Sequence, residues 1–124
     1  MNVADSSAWI EFLIDGPNAG HFAPILNDRA ALIVPTITVY EIYRWMERER
    51  SVDHADAAVA VMTESLIVDL DIDLAIDAAD LAAEHRLAMA DSIILATAQR
   101  YEATLWTQDA DFEGLLNVRY LPRT

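Results

Sequence analysis

Five short apolar runs, each too short to form a stable helix, alternate along the chain with longer stretches whose apolar residues recur at helical spacing. The runs are NVA at Asn2 to Ala4, ALIV at Ala31 to Val34 (closed by Pro35), LIVDL at Leu66 to Leu70, TLWT at Thr104 to Thr107 and VRYL at Val118 to Leu121. Between them, a helix opens near Ser7, carries Trp9, Ile10, Phe12 and Leu13, and stops at Gly16-Pro17. A weaker helix is predicted over His21 to Asp28, and stronger ones over Ile37 to Arg50, Asp53 to Ser65, Leu74 to Arg86 and Ala90 to Tyr101. A turn or short helix is expected around Phe112 to Leu116. Strands separated by helices require right-handed crossovers, so the prediction is an α/β fold: a mainly parallel central sheet with helices on both faces. At 124 residues, with no linker or break in composition, the chain reads as one domain spanning residues 1–124. In such folds ligands bind beyond the carboxyl ends of the strands.

Composition removes several chemistries from that site. All eight basic residues are arginine, so there is no lysine for a phosphate-binding loop or a Schiff base. Three scattered glycines cannot build a dinucleotide fingerprint, and the absence of cysteine excludes thiolate metal sites and thiol nucleophiles. No apolar run approaches the ~20 residues of a membrane span and the opening MNVADSSAW is not a signal peptide, so a cytoplasmic location is expected. A net charge of −13 repels phosphates unless cations are bound locally.

Acids stand where the strands end. Asp5 follows the first strand, Glu41 lies in the helix after the second, Asp91 heads the Ala90 to Tyr101 helix, and Asp109 with Asp111 follows TLWT. Each alone reads as a cap or a turn. Asp5 with Ser6 and Ser7 suits an N-cap, Asp91 suits another, and Thr38 with Glu41 spells a T-x-x-E capping box. Capping does not account for the coincidence of acids at one end of a parallel sheet. Carboxylates ~5 Å apart repel by roughly 3 kcal/mol per pair at an effective dielectric of 20, against the roughly 1 kcal/mol that a cap contributes. Such a cluster calls for a cation. Oxygen ligands without histidine or cysteine select Mg²⁺, with Mn²⁺ able to substitute, and such ions assist phosphoryl chemistry.

Four segments in order, DSSAW (Asp5 to Trp9), ITVYEI (Ile37 to Ile42), ADSIILATA (Ala90 to Ala98) and TQDADF (Thr107 to Phe112), resemble the motifs of PIN-domain ribonucleases, specifically the toxin subunits of VapBC-type toxin-antitoxin pairs. The resemblance covers nearly the whole chain. It implies Mg²⁺-dependent endonucleolytic cleavage of RNA by metal-activated water. By motif position, Asp5, Glu41, Asp91 and Asp109 match the acidic quartet, with Asp5, Asp91, Asp109 and Asp111 as metal ligands. Ser7 and Thr107 match hydroxyl residues that orient those acids or water. A noncatalytic module of the same fold, whose acidic pocket receives a basic peptide, is the alternative.

The remaining polar residues read as ordinary surface. His21, His54 and His85 match no triad or metal spacing, and Arg44, Arg48 and Arg50, on a helix ending in MERERS, read as a solvated face opposed by Glu47 and Glu49. The Ile37 to Met46 segment carries more apolar residues than one buried stripe needs. A second apolar face comprising Tyr43, Trp45 and Met46, with Trp9 and Phe12, is therefore expected to hold a partner. The resemblance makes that partner the cognate antitoxin, in a hetero-oligomer; a homodimer is equally compatible.

Overall fold

Leu32, Ile33 and Val34 are all completely buried, as a strand covered on both faces must be. They lie in β2 (Leu32–Pro35), second in a five-stranded, wholly parallel sheet of order β3-β2-β1-β4-β5, with β1 at Asn2–Ala4, β3 at Leu66–Val68, β4 at Thr104–Thr107 and β5 at Val118–Tyr120. The computed structural model describes all 124 residues, Met1–Thr124. Successive side chains alternate between two cores. Val3 and Ile33 face the one built with α5 (Ile72–His85) and α6 (Met89–Arg100). Ala4, Leu32 and Val34 face the one built with α1 (Ser6–Leu13), α2 (Ala19–Leu26), α3 (Thr36–Glu49) and α4 (Val52–Met62). The α/β architecture expected from the sequence is therefore present.

Boundaries move where capping decides them. The Asp71 carboxylate accepts the Leu74 N–H at 2.8 Å, so α5 starts at Ile72 and β3 ends at Val68, short of the expected Leu70. Ser51 caps α4 in the same way through the His54 N–H at 3.1 Å. Pro35, extended at φ −65°, is itself the N-cap of α3. Thr38 therefore lies inside the helix, fully buried with an unpartnered hydroxyl, and the expected Thr38–Glu41 capping box does not form.

The expected partner face is also corrected in part. Trp9 is completely buried and Met46 is 4% exposed, so neither can meet a partner in this conformation. Most of the surplus apolar residues of α3 are consumed internally, because α3 packs on α4 and α1 as well as on the sheet side; Tyr40 is the exception. Phe12, Tyr43 and Trp45 are half-buried against the same core.

Helix α6 is buried on nearly every side from Ser92 to Ala98 and lies against β1, β2 and β4. A helix wrapped this completely holds its first turn rigidly at the carboxyl edge of the sheet. Asp91 sits in that turn.

Candidate metal centre

Parallel pairing puts the ends of β1 and β4 side by side, with Ala4 opposite Trp106. The next residues are Asp5 and Thr107, and the Thr107 hydroxyl donates to Asp5 Oδ2 at 2.5 Å. On the other carboxylate oxygen, Asp5 Oδ1 accepts the Ser7 hydroxyl at 2.7 Å and the Ala8 N–H at 3.0 Å, which caps α1. Each hydroxyl has one proton, and both are thereby committed to Asp5. Thr107 Oγ1 is then the acceptor for the Asp109 N–H at 2.8 Å, and Ser7 Oγ for the Gln108 N–H at 2.9 Å. Ser7 and Thr107, expected from the resemblance to orient acids or water, both donate to Asp5. Capping and site construction coincide in this residue.

Asp109 begins a short 3₁₀ turn, accepting the Asp111 N–H at 2.9 Å. That turn brings carboxylate oxygens of Asp91, Asp109 and Asp111 within 4.8 Å of one another. Asp91 is not a cap, since α6 starts from Ala88 and has no side-chain cap. Asp5 and Glu41 stand outside this trio but line the same cavity, of about 600 Å³, with Asp91 and Asp109. Glu41 reaches it from the second turn of α3, and its Oε1 is buried with no hydrogen-bond partner.

Electrostatics register the crowding. Asp91 is pushed up to about 7, first by loss of solvent and then by the charges of Asp109, Asp5, Glu41 and Asp111. Its place in the first turn of α6 favours the anion by only ~0.3–1 kcal/mol, and burial with four acids overrides that. Burial also raises Asp5, against hydrogen bonds from Thr107, Ser7 and Ala8 that pull it down. Glu41 is raised by burial and by Asp5, and Ser6 opposes the shift.

The donor set fits a hard divalent cation: clustered carboxylates, an orphaned carboxylate oxygen, and no histidine or cysteine among the lining groups. The one basic residue on the wall, Arg123, forms no ion pair. The chain on either side of it is tied down by bonds between residues far apart in sequence. Asn18 donates to Gln108 Oε1 at 2.7 Å and to the Pro122 carbonyl at 3.0 Å, and its own Oδ1 accepts the Thr124 hydroxyl at 2.7 Å. Gln108 in turn donates to the Ser7 carbonyl at 3.3 Å. Of this set only Gln108 carries a sequence signal, lying between two acid-site residues in TQD.

None of the three histidines lines the acidic cavity. His54 bonds locally to Ser51, His21 packs edge-on to Phe22, and His85 lies 3.8 Å from Glu84.

Residues 3–115 match the sequence profile of the PIN domain. The chain belongs to the PIN-domain family. No curated protein sequence matches it. Among solved structures, this PIN domain superposes on a chain of a toxin-antitoxin complex from Klebsiella pneumoniae with a TM-score of 0.81 at 23% identity over 100% of both chains. On VapC20 of Mycobacterium tuberculosis, a sarcin-ricin loop cleaving toxin, the TM-score is 0.79 at 18% identity, covering 96% of this chain and 99% of that one. A chain of the DNA-bound VapBC of Salmonella typhimurium gives 0.76 at 19% identity over 98% of both. At these identities the likeness establishes the fold. No helix of this PIN domain is long and apolar enough to cross a membrane.

Proposed function

We propose that this PIN domain is a Mg²⁺-dependent endoribonuclease acting in the cytoplasm as the toxin of a toxin-antitoxin pair. The observation that carries the reading is the convergence of Asp91, Asp109 and Asp111 within 4.8 Å beside Asp5 and Glu41. Similarity to chains from toxin-antitoxin complexes and to a toxin that cleaves the sarcin-ricin loop supports the biological role and an antitoxin partner.

Asp91, Asp109 and Asp111 would hold the cation, with Asp5 beside them. When bound, the ion supplies positive charge for the phosphate and acidifies water. The chain supplies the rest. Asp5 is immobilised by three donors, so it presents a fixed negative wall. Glu41 Oε1, buried and unpartnered, is the free acceptor on which an attacking water can be oriented toward phosphorus. Asp91, pushed up to about 7, would give up its proton to hold a cation.

Incubation of the chain with structured and unstructured RNA tests this reading. Cleavage is expected with Mg²⁺ or Mn²⁺, is stopped by EDTA, and falls by at least roughly a hundredfold in Asp91→Asn, the scale on which loss of one transition-state electrostatic group acts. Chelator-resistant cleavage, or an Asp91→Asn chain that cuts at the parent rate, would overturn it.

A further inference from the structure

On a chain with a net charge of −13, an RNA strand needs local cations to approach the acids at all. The arginines are unevenly available for this. Arg29 is paired with Glu64 at 2.5 Å, Arg100 with Asp71 at 2.9 Å, and Arg50 lies over the Trp45 ring at 6.0 Å. Arg44 forms no ion pair, and Arg48 holds only its exposed neighbour Glu49 at 3.0 Å, a surface pairing that a phosphate can replace.

Arg44 and Arg48 line a groove of about 270 Å³ along α3, together with Tyr40. The three recur every four residues, so they follow one gently winding stripe with ~6 Å of axial rise between neighbours. That rise is close to the separation of successive phosphates in an extended strand. Tyr40 is 59% exposed, an aromatic ring left to solvent on a helix whose other large apolar groups are at least partly covered. The groove is not a separate place. Ser6, Glu41 and Trp45 are walls of both the groove and the acidic cavity, so a strand lying along the stripe passes directly into the acids.

We propose that the Tyr40–Arg44–Arg48 stripe is the rail that binds single-stranded RNA, with a base stacked on Tyr40 and backbone phosphates on the two arginines. This inference rests on the nuclease reading for its substrate class and assigns the residues that hold it. Aromatic stacking requires an unpaired base face, which a duplex does not offer along its length. The guanidinium groups suit phosphate and disfavour a basic peptide in the same groove. Arg44 and Arg48 are exposed and Arg48 pairs with Glu49, as a solvated face requires, and the rail gives that face a ligand because its groove opens onto Glu41 and the acidic cavity.

The test separates binding from cutting. A short, mixed-sequence, fluorescently labelled single-stranded RNA and the corresponding duplex are titrated with Asp91→Asn protein, alone and combined with Tyr40→Ala, Tyr40→Phe, or Arg44→Ala with Arg48→Ala. The arginine pair is expected to weaken single-strand binding by tenfold or more and to flatten the dependence of log affinity on log salt by about 1.4, or about 0.7 for each phosphate no longer neutralised. Tyr40→Ala should weaken it by roughly tenfold and Tyr40→Phe should not, while the duplex binds less well throughout. In the chain with Asp91 intact, the same substitutions should raise KM more than they lower kcat. Unchanged affinity and salt slope would overturn the rail, as would a parent with no affinity for RNA, leaving the stripe a protein-facing or solvated surface. A parent that binds RNA through the stripe but never cuts it would refute the nuclease reading instead.

Discussion

Asp91→Asn is expected to stabilise the cation-free chain at neutral pH by about 2 kcal/mol, raising its melting midpoint by roughly 8 °C for a domain of this size. The folded chain holds a proton on Asp91 up to about pH 7, whereas the unfolded chain loses it near 3.8. The folded state therefore binds more protons between those values, and stability falls as pH rises through that window. Above about pH 7 the loss is complete. The full span corresponds to roughly 4 kcal/mol at 1.36 kcal/mol per unit, and solvent at this half-buried group reduces it by about half. Asparagine keeps the shape and removes the charge, so the slope contributed by Asp91 should disappear. Thermal melts of both chains in EDTA from pH 4 to 8 check this; a lower midpoint for the variant at pH 7 would show that the Asp91 charge is compensated in the fold.

Asp5 should respond with the opposite sign, although it is raised by the same cause, burial. Asp5→Ala removes the cap of α1 and strands three donors, the Ala8 N–H and the hydroxyls of Ser7 and Thr107. A loss of about 3 kcal/mol follows, taking ~1 for the cap and the rest for buried groups left unpaired. Thr107→Val should cost about 2 kcal/mol, since the buried carboxylate loses its hydroxyl donor and the Asp109 N–H loses its acceptor. Asp5→Asn retains one oxygen acceptor and should fall well short of the alanine loss. Urea unfolding of the three variants gives the order; an Asp5→Ala chain as stable as the parent would mean that the network is not a structural unit.

The contrast between these two aspartates shows how far the sequence can be read. Both stand next to strand or helix boundaries, and both suit a cap by residue type alone. Asp5 is a cap and part of the acid cluster together, whereas Asp91 sits within α6, uncapped and crowded. The sheet is legible because β2 must be apolar on both faces, which leaves an uninterrupted run in the sequence. The convergence of acids is legible because parallel strands share an edge. What is not legible depends on neighbours distant in sequence. Trp9 and Met46 resemble an apolar partner face in the sequence, but α1 packs against α3 and both side chains are buried in the core they share with α4. Arg123 lines the acidic cavity from a segment that Asn18 ties to Gln108 through the Pro122 carbonyl, across about a hundred residues of chain. The groove along Arg44 and Arg48 is not legible either, because Ser6 and Ile10 of α1 complete its wall.

Acids held together against their mutual repulsion are expected to receive a divalent cation. Isothermal titration of Mn²⁺ into the parent and Asp91→Asn chains, each at pH 6 and pH 8, tests it most directly. The parent should bind at both pH values, more weakly at pH 6 with proton release, because Asp91 must give up its proton there; Asp91→Asn should bind far more weakly at both. Equal affinity in the two proteins, or no binding by the parent at either pH, would contradict the account.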